Sequence, residues 1–411
     1  MIEFSRHILP NGLTLIVHQD FSTPIAAVNM LYKVGSKHEH AEKTGFAHLF
    51  EHLMFGGSEN IPVYDEPLTA ASGENNAFTN NDITNYYITL PAENIETAFW
   101  LESDRMLSLA FSEQSLNVQK KVVVEEFNQH YLNQPYGDVW LLLRPLAYAV
   151  HPYSWPTIGK SPEHIQNATL IDVKDFFYHH YAPNNAILTI AGPVEPESTV
   201  ELVQKWFGEI ERRALDDKNI PVEPKQESPR FLEVSRNVPF NAIYKAYHIC
   251  RRNHPDFAPT DLISDILSNG KSARLYQHLV KEKQLFSNIN AFVTGDIDEG
   301  LLVVTGQLFP STSFRDADES ITSELEELKI KPVSDYELEK VKNRFESNFV
   351  FEETSILNKA INLSFYEQLG NAGYINQEVE KYRAVSTNRI MEVAREILSV
   401  NNCSTLYYKK N

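Results

Sequence analysis

The chain has 411 residues, 42% of them hydrophobic and 22% charged, an ordinary globular balance with room for two or three domains. A formal net charge of −18 argues against nucleic acid as a partner, and no run of about 18 apolar residues offers a membrane span. Two distant cysteines, Cys250 and Cys403, exclude a disulfide framework and a Cys-x-x-Cys site. Residues 1–6 lack the basic-then-apolar pattern of a signal peptide, so a reducing cytoplasm is the expected compartment unless a leader has been removed.

In chain order, residues 13–18 and 25–32 read as strands split by a polar stretch. A helix follows within the run Thr44 to Phe55, which carries His48-Leu49-Phe50-Glu51-His52, and Gly56-Gly57 stops it. Residues 76–79 and 83–90 read as a hairpin around Asn80-Asn81-Asp82. Helices are predicted at 93–109, 113–131 and 139–149, then a short strand at 186–191 and a helix at 199–207. Residues 212–229 are polar and hold Pro221, Pro224 and Pro229, the composition of a linker. Strands at 242–249, 289–294, 301–306 and 405–408 and helices at 259–267, 273–283, 314–329 and 335–353, with more to 398, complete the chain. The similar order in 1–211 and 230–411 predicts two homologous α+β domains joined by that linker. Each is a mixed or antiparallel sheet packed by helices.

His48-Leu49-Phe50-Glu51-His52 is an H-x-x-E-H motif, which chance would place about 0.05 times in such a chain. On a helix His48 and His52 share one face, so two imidazoles can hold Zn²⁺ with the Glu51 carboxylate facing a water on it. The flanking residues are apolar, and buried polar groups on such a helix need partners. A catalytic zinc usually has a third protein ligand. The adjacent pair Glu125-Glu126 sits on an apolar-rich helix, and neighbours on a helix point about 100° apart. Spacing alone ranks Glu126 first, then Glu125, then His130, against the plainer reading of a solvated acidic face.

These residues resemble the pitrilysin, insulin-degrading and mitochondrial processing peptidase family. The resemblance runs nearly end to end, through Leu9-Pro10-Asn11-Gly12, Thr44 to Phe55, Asn76-Ala77-Phe78-Thr79, Val122 to Glu126, His151-Pro152-Tyr153, Tyr181-Ala182-Pro183 and Ser272-Ala273-Arg274-Leu275-Tyr276. It implies a zinc metallopeptidase of homologous domains. His48, His52 and Glu126 match the metal ligands, Glu51 the general base, and Asn76, Ala77 and Phe78 the edge strand that pairs with the substrate peptide. It implies that substrates are peptides or unfolded protein segments.

Two positions depart from the family. The Glu often found seven residues before the ligand Glu is Gln119, which can hydrogen-bond to a neighbour but carries no charge. Where family peptidases carry an Arg and a Tyr, seven apart, to grip substrate, this chain has Val280 and Ser287. The resemblance therefore implies the zinc-bearing half of a pair, with a homologous Arg- and Tyr-bearing subunit, or else a homodimer. The competing expectation is a non-catalytic structural or peptide-binding subunit of a heterodimeric peptidase.

Overall fold

The computed structural model describes residues 1–215 and 219–411; the part of the expected linker at 216–218 lies outside the described residues. Among the described residues eleven strands form two sheets. β1 (Ser5–Ile8), β2 (Thr14–Gln19), β3 (Ile25–Tyr32), β4 (Glu74–Thr79), β5 (Thr84–Pro91) and β6 (Ala186–Gly192) make a six-stranded sheet in the order β1-β2-β6-β3-β5-β4. β7 (Arg230–Arg236), β8 (Ala242–His248), β9 (Phe286–Val293), β10 (Leu301–Leu308) and β11 (Cys403–Lys410) make a five-stranded sheet in the order β7-β11-β8-β10-β9. Each sheet has one parallel pair, β2 with β6 and β7 with β11, and is otherwise antiparallel. The expected α+β class with two mixed sheets packed by helices is what forms.

The chain divides into two compact units whose sequence limits differ from the 1–211 and 230–411 reading. The first unit takes residues 1–129, 155–220 and 350–376; the second takes 130–154, 221–349 and 377–411. Side-chain packing explains both exchanged segments. The helix Val139–Ala147 buries Val139, Leu143 and Ala147 among Ala242, Leu301 and Leu406 of the second sheet. The helix Ile356–Gln368 sets Ala360 against Ala27 and Ala191 of the first sheet, three small side chains that permit close approach. Its Ser364 hydroxyl bonds to Asn29 at 2.9 Å and Thr189 at 2.7 Å.

The linker composition also misleads at residues 221–229. Glu223 is buried and accepts from the backbone N–H groups of Ala149, Val150 and His151 at 2.7–2.9 Å. Gln226 is buried as well and donates to the carbonyls of Asn401 and Cys403, both at 3.0 Å. A polar stretch is solvated only if nothing satisfies it, and here backbone groups of the second unit do. Two strands escape pattern reading altogether, as do the helices Asp65–Ala70, Pro162–Gln166 and Leu170–His180. β1 is four residues of mixed polarity, and β7 alternates half-buried and exposed positions on a sheet edge.

Candidate metal centre and active site

The motif helix spans Phe46–Leu53 and buries Phe46, Ala47, Leu49, Phe50 and Leu53. His48, Glu51 and His52 share its remaining, half-buried face. Its first residue follows Gly45, whose φ of +89° is the left-handed region that glycine tolerates. A Cβ there would lie 2.5 Å from the Ile158 carbonyl oxygen. Glycine has no side chain to cap a helix, and the cap comes from elsewhere. The buried Glu39 carboxylate accepts from Gly45 N–H at 2.9 Å and Ala47 N–H at 2.8 Å. The Trp155 indole N–H also reaches it at 3.2 Å, while donating to Ser36 O at 3.1 Å. Burial pushes the Glu39 carboxyl up to about 8 against these N–H donors. Glu39 and Trp155 were missed at the sequence level, because their role lies in contacts and not in a motif.

The back of the same helix is fixed by aromatic packing. The Phe50 ring stacks on Tyr181 with centroids 5.0 Å apart, and the Tyr86 hydroxyl reaches Phe50 O at 3.4 Å. Behind Tyr86 lies the fully buried Arg105, ion-paired with Glu102 and 4.4 Å over the Tyr86 ring.

The third acidic candidate comes from the helix Glu113–Phe127, which Ser112 caps through the Ser115 N–H. Leu116, Val123 and Phe127 are its buried side, and Glu126 lies beside them, half-buried. Its Oε2 is 3.8 Å from His48 Nε2 and 3.6 Å from His52 Nε2. The two imidazoles are edge to face with centroids 4.9 Å apart. Glu125 and His130 are exposed and outside this group, and Glu125 accepts instead from Gln129 at 3.4 Å. Gln119 stands two turns before Glu126 on nearly the same side, half-buried.

One donor atom each from His48, His52 and Glu126 lie within 4.8 Å of one another, the one such group among the described residues. The separations of 3.6 and 3.8 Å are too long for hydrogen bonds, so the three converge without satisfying each other. A tetrahedral ion with bonds of about 2.0–2.1 Å spaces its ligand atoms about 3.4 Å apart. Burial, with the His52 charge, pushes His48 down to about 4, so its ring is neutral at pH 7 and its lone pair is available. Two imidazoles and a carboxylate at this spacing fit Zn²⁺ with a fourth position open. One detail departs from the usual pattern: His48 Nδ1 is buried with no hydrogen-bond partner among the described residues.

Glu51 is held at the edge of the first sheet. Burial raises its carboxyl, and a hydrogen bond from the Thr79 hydroxyl and one from the Thr79 backbone hold it on β4. β4 pairs with β5 alone and is the terminal strand. Asn80 N bonds to Ile83 O, so alternation turns the backbone groups of Thr79 and Ala77 away from β5. Ala77 N–H is covered by the Asn76 side chain at 2.8 Å. Asn76 is exposed, and Ala77 and Phe78 are half-buried. The expected Arg and Tyr positions offer no equivalent chemistry. Val280 packs against the core of the second unit, and the Ser287 hydroxyl on β9 donates to Gln307 O at 3.2 Å.

Residues 14–154 match the family described as Insulinase (Peptidase family M16), and residues 167–345 match the description Peptidase M16 inactive domain. The zinc protease PqqE of Helicobacter pylori is 30% identical over 409 residues, covering 98% of this chain and 91% of that one. The chain belongs to the insulinase family, peptidase family M16. The crystal structure of a protease from Helicobacter pylori superposes on this M16 chain with a TM-score of 0.93 at 29% identity, covering 100% of each. The probable mitochondrial-processing peptidase subunit beta of Arabidopsis thaliana is 28% identical over 204 residues, 49% of this chain and 38% of that one. Zinc-dependent proteolysis is thus the character of the M16 relatives, and peptidase function holds at that general level.

Proposed function

We propose that the chain is a zinc-dependent endopeptidase that cleaves extended peptides or unfolded protein segments, with Glu51 as the general base. The observation that carries this reading is the convergence of His48, His52 and Glu126 within 4.8 Å, with Glu51 on the same helix face. His48, His52 and Glu126 would hold the ion. Bound there, zinc would polarise the peptide carbonyl and make water acidic enough to attack at neutral pH.

The remaining work falls to the chain's own residues. Glu51 takes a proton from the attacking water and returns it to the leaving amine, a contribution of about 10²–10⁴-fold. Its raised pKa suits a group that must first accept and then give a proton. The Thr79 hydrogen bonds aim it along the open edge of β4. A substrate strand added to that edge would exchange hydrogen bonds with Ala77 and pass the base in extended form. Main-chain pairing is indifferent to side chains, but a folded protein cannot present a free strand to it. Asn76 must swing off Ala77 N–H for pairing to occur.

Val280 and Ser287 support a paired assembly, in which a homologous chain supplies the cationic and phenolic donors that this one lacks. The same two residues favour a second reading, a peptide-binding subunit that does not cut on its own. Purified chain assayed on an unstructured peptide, with and without a chelator, separates them. Chelator-sensitive cleavage by the chain alone supports the endopeptidase and removes the need for a partner; zinc binding without cleavage, alone or with a homologous partner, overturns it.

A further inference from the structure

All five strands of the second sheet have counterparts in the first, where only β1 is extra. β7 runs parallel to β11 as β2 does to β6, and β8, β10 and β9 follow antiparallel as β3, β5 and β4 do. The helix after each hairpin also corresponds, Ile95–Leu107 after β5 and Phe314–Ile330 after β10. In the first unit β2 is covered twice. β1 pairs along its outer edge, and the helix Pro196–Phe207 packs on it and on Ile95–Leu107. That covering helix buries Thr199, Val203 and Phe207, and its Lys205 and Trp206 both bond to Glu96 of the helix beside it.

The matching place in the second unit has no such cover among the described residues. β7 is the terminal strand, and the helix that packs on it, Val139–Ala147, lies on the opposite face against Leu232 and Val234. The other face opens as a groove of about 970 Å³ between β7, β11 and Phe314–Ile330. Its apolar lining joins Phe314, stacked on Tyr407 with centroids 4.5 Å apart, to Leu325, Leu398 and Val400; beside the groove, Phe231, 59% exposed, meets Tyr407 edge-on at 4.9 Å. Its charge is acidic, four carboxylates against two cations. Both cations are already engaged, Lys245 with Asp318 and Arg315 with Glu319. Glu326 pairs with Lys329, and among the groove's carboxylates Glu233 is left without an ion pair among the described residues.

We propose that this groove docks an amphipathic helix of a partner protein, about three turns long, with an apolar ridge flanked by Lys or Arg. The first unit supplies the argument for a helix: the same three elements there are closed by a 12-residue helix whose lysine reaches an acidic neighbour. The acidic lining supplies the argument for its charge. The apolar ridge fills the trough over Tyr407, and a flanking cation meets Glu233, while Glu326, paired at 2.5 Å with Lys329 of its own helix, adds to the acidic rim.

The test uses the full chain and a fluorescent, helix-stapled 12-residue peptide with Leu at i, i+3, i+4 and i+7 and Lys between. Controls are a shuffled order that breaks the ridge and a Lys-to-Glu version. Fluorescence anisotropy should give a Kd on the order of micromolar, and about tenfold weaker binding for either control. Glu233→Lys with Glu326→Lys should reverse the preference between the Lys and Glu peptides, and Thr322→Arg should abolish binding. Thermal unfolding checks that these surface variants remain folded. Equal binding of ridge and shuffled peptides, or no response to the charge reversal, would overturn the proposal. Sedimentation of the chain alone supplies another refutation: a dimer that Thr322→Arg dissolves would make a second copy the occupant.

Discussion

Replacing Glu39 with Gln tests whether a buried, neutral carboxyl holds the start of the metal-binding helix. The wild-type side chain offers one oxygen to Gly45 N–H and one to Ala47 N–H. The amide keeps a single acceptor and turns its NH₂ toward the other donor. One buried backbone donor is then unsatisfied, at a cost of about 1–3 kcal/mol. Trp155 is spared, because its indole N–H still has Ser36 O. Against this runs a pH term. Burial raises the folded carboxyl from 4.5 to about 8, so between these values the folded state holds a proton that the unfolded state has released. Stability from this group is present in full below about pH 4.5 and falls as pH rises through about 8. The whole rise corresponds to about 5 kcal/mol. The variant lacks that term. It should therefore be less stable than wild type at pH 5 and more stable at pH 9. Urea unfolding of both proteins, metal removed, at pH 5, 7 and 9 reads the difference. A stability gap that stays constant across this range would mean that the three N–H donors keep Glu39 ionised in the fold, and the reasoning fails.

Four further outcomes are expected. Glu51→Gln should retain zinc, measured by atomic absorption, and lose about 10²–10⁴-fold in turnover; wild-type hydrolysis would remove Glu51 from the role of base. Glu126→Ala should lose metal and activity together, whereas Glu125→Ala, on the exposed side, should keep both. Ala77→Pro, which deletes the N–H at the open edge of β4 and which an edge strand tolerates, should lower kcat/KM about 3–10-fold without changing zinc content. Ala360→Leu should lower stability by about 1–3 kcal/mol, because it wedges a larger side chain between Ala27 and Ala191; calorimetry reads it.

Much of the site was legible because it is written in local spacing. His48 and His52 share a helix face through their separation of four, and that relation holds on any helix. Glu126 was the first choice on spacing, and its carboxylate does lie beside both imidazoles, with Glu125 turned out to solvent. The supporting contacts were not legible. Glu39, Trp155 and Thr79 act through single hydrogen bonds made by tertiary proximity, and no periodicity announces them. The limits of the two compact units differ from the 1–211 and 230–411 reading for a related reason. Helices Val139–Ala147 and Ile356–Gln368 each carry an apolar face, but the face does not say which of two similar sheets will bury it.

The sequence by itself determined most of the element types, the similar order of its two halves, and a two-imidazole face with a carboxylate beside it, since all of these follow from residue periodicity along a helix or strand. The tertiary structure alone decided which acidic side chain meets those imidazoles, what caps their helix, and where the open edges and uncovered grooves lie. Those are distances between residues far apart in the chain, set by the packing of whole elements, and pattern along the backbone carries no measure of them.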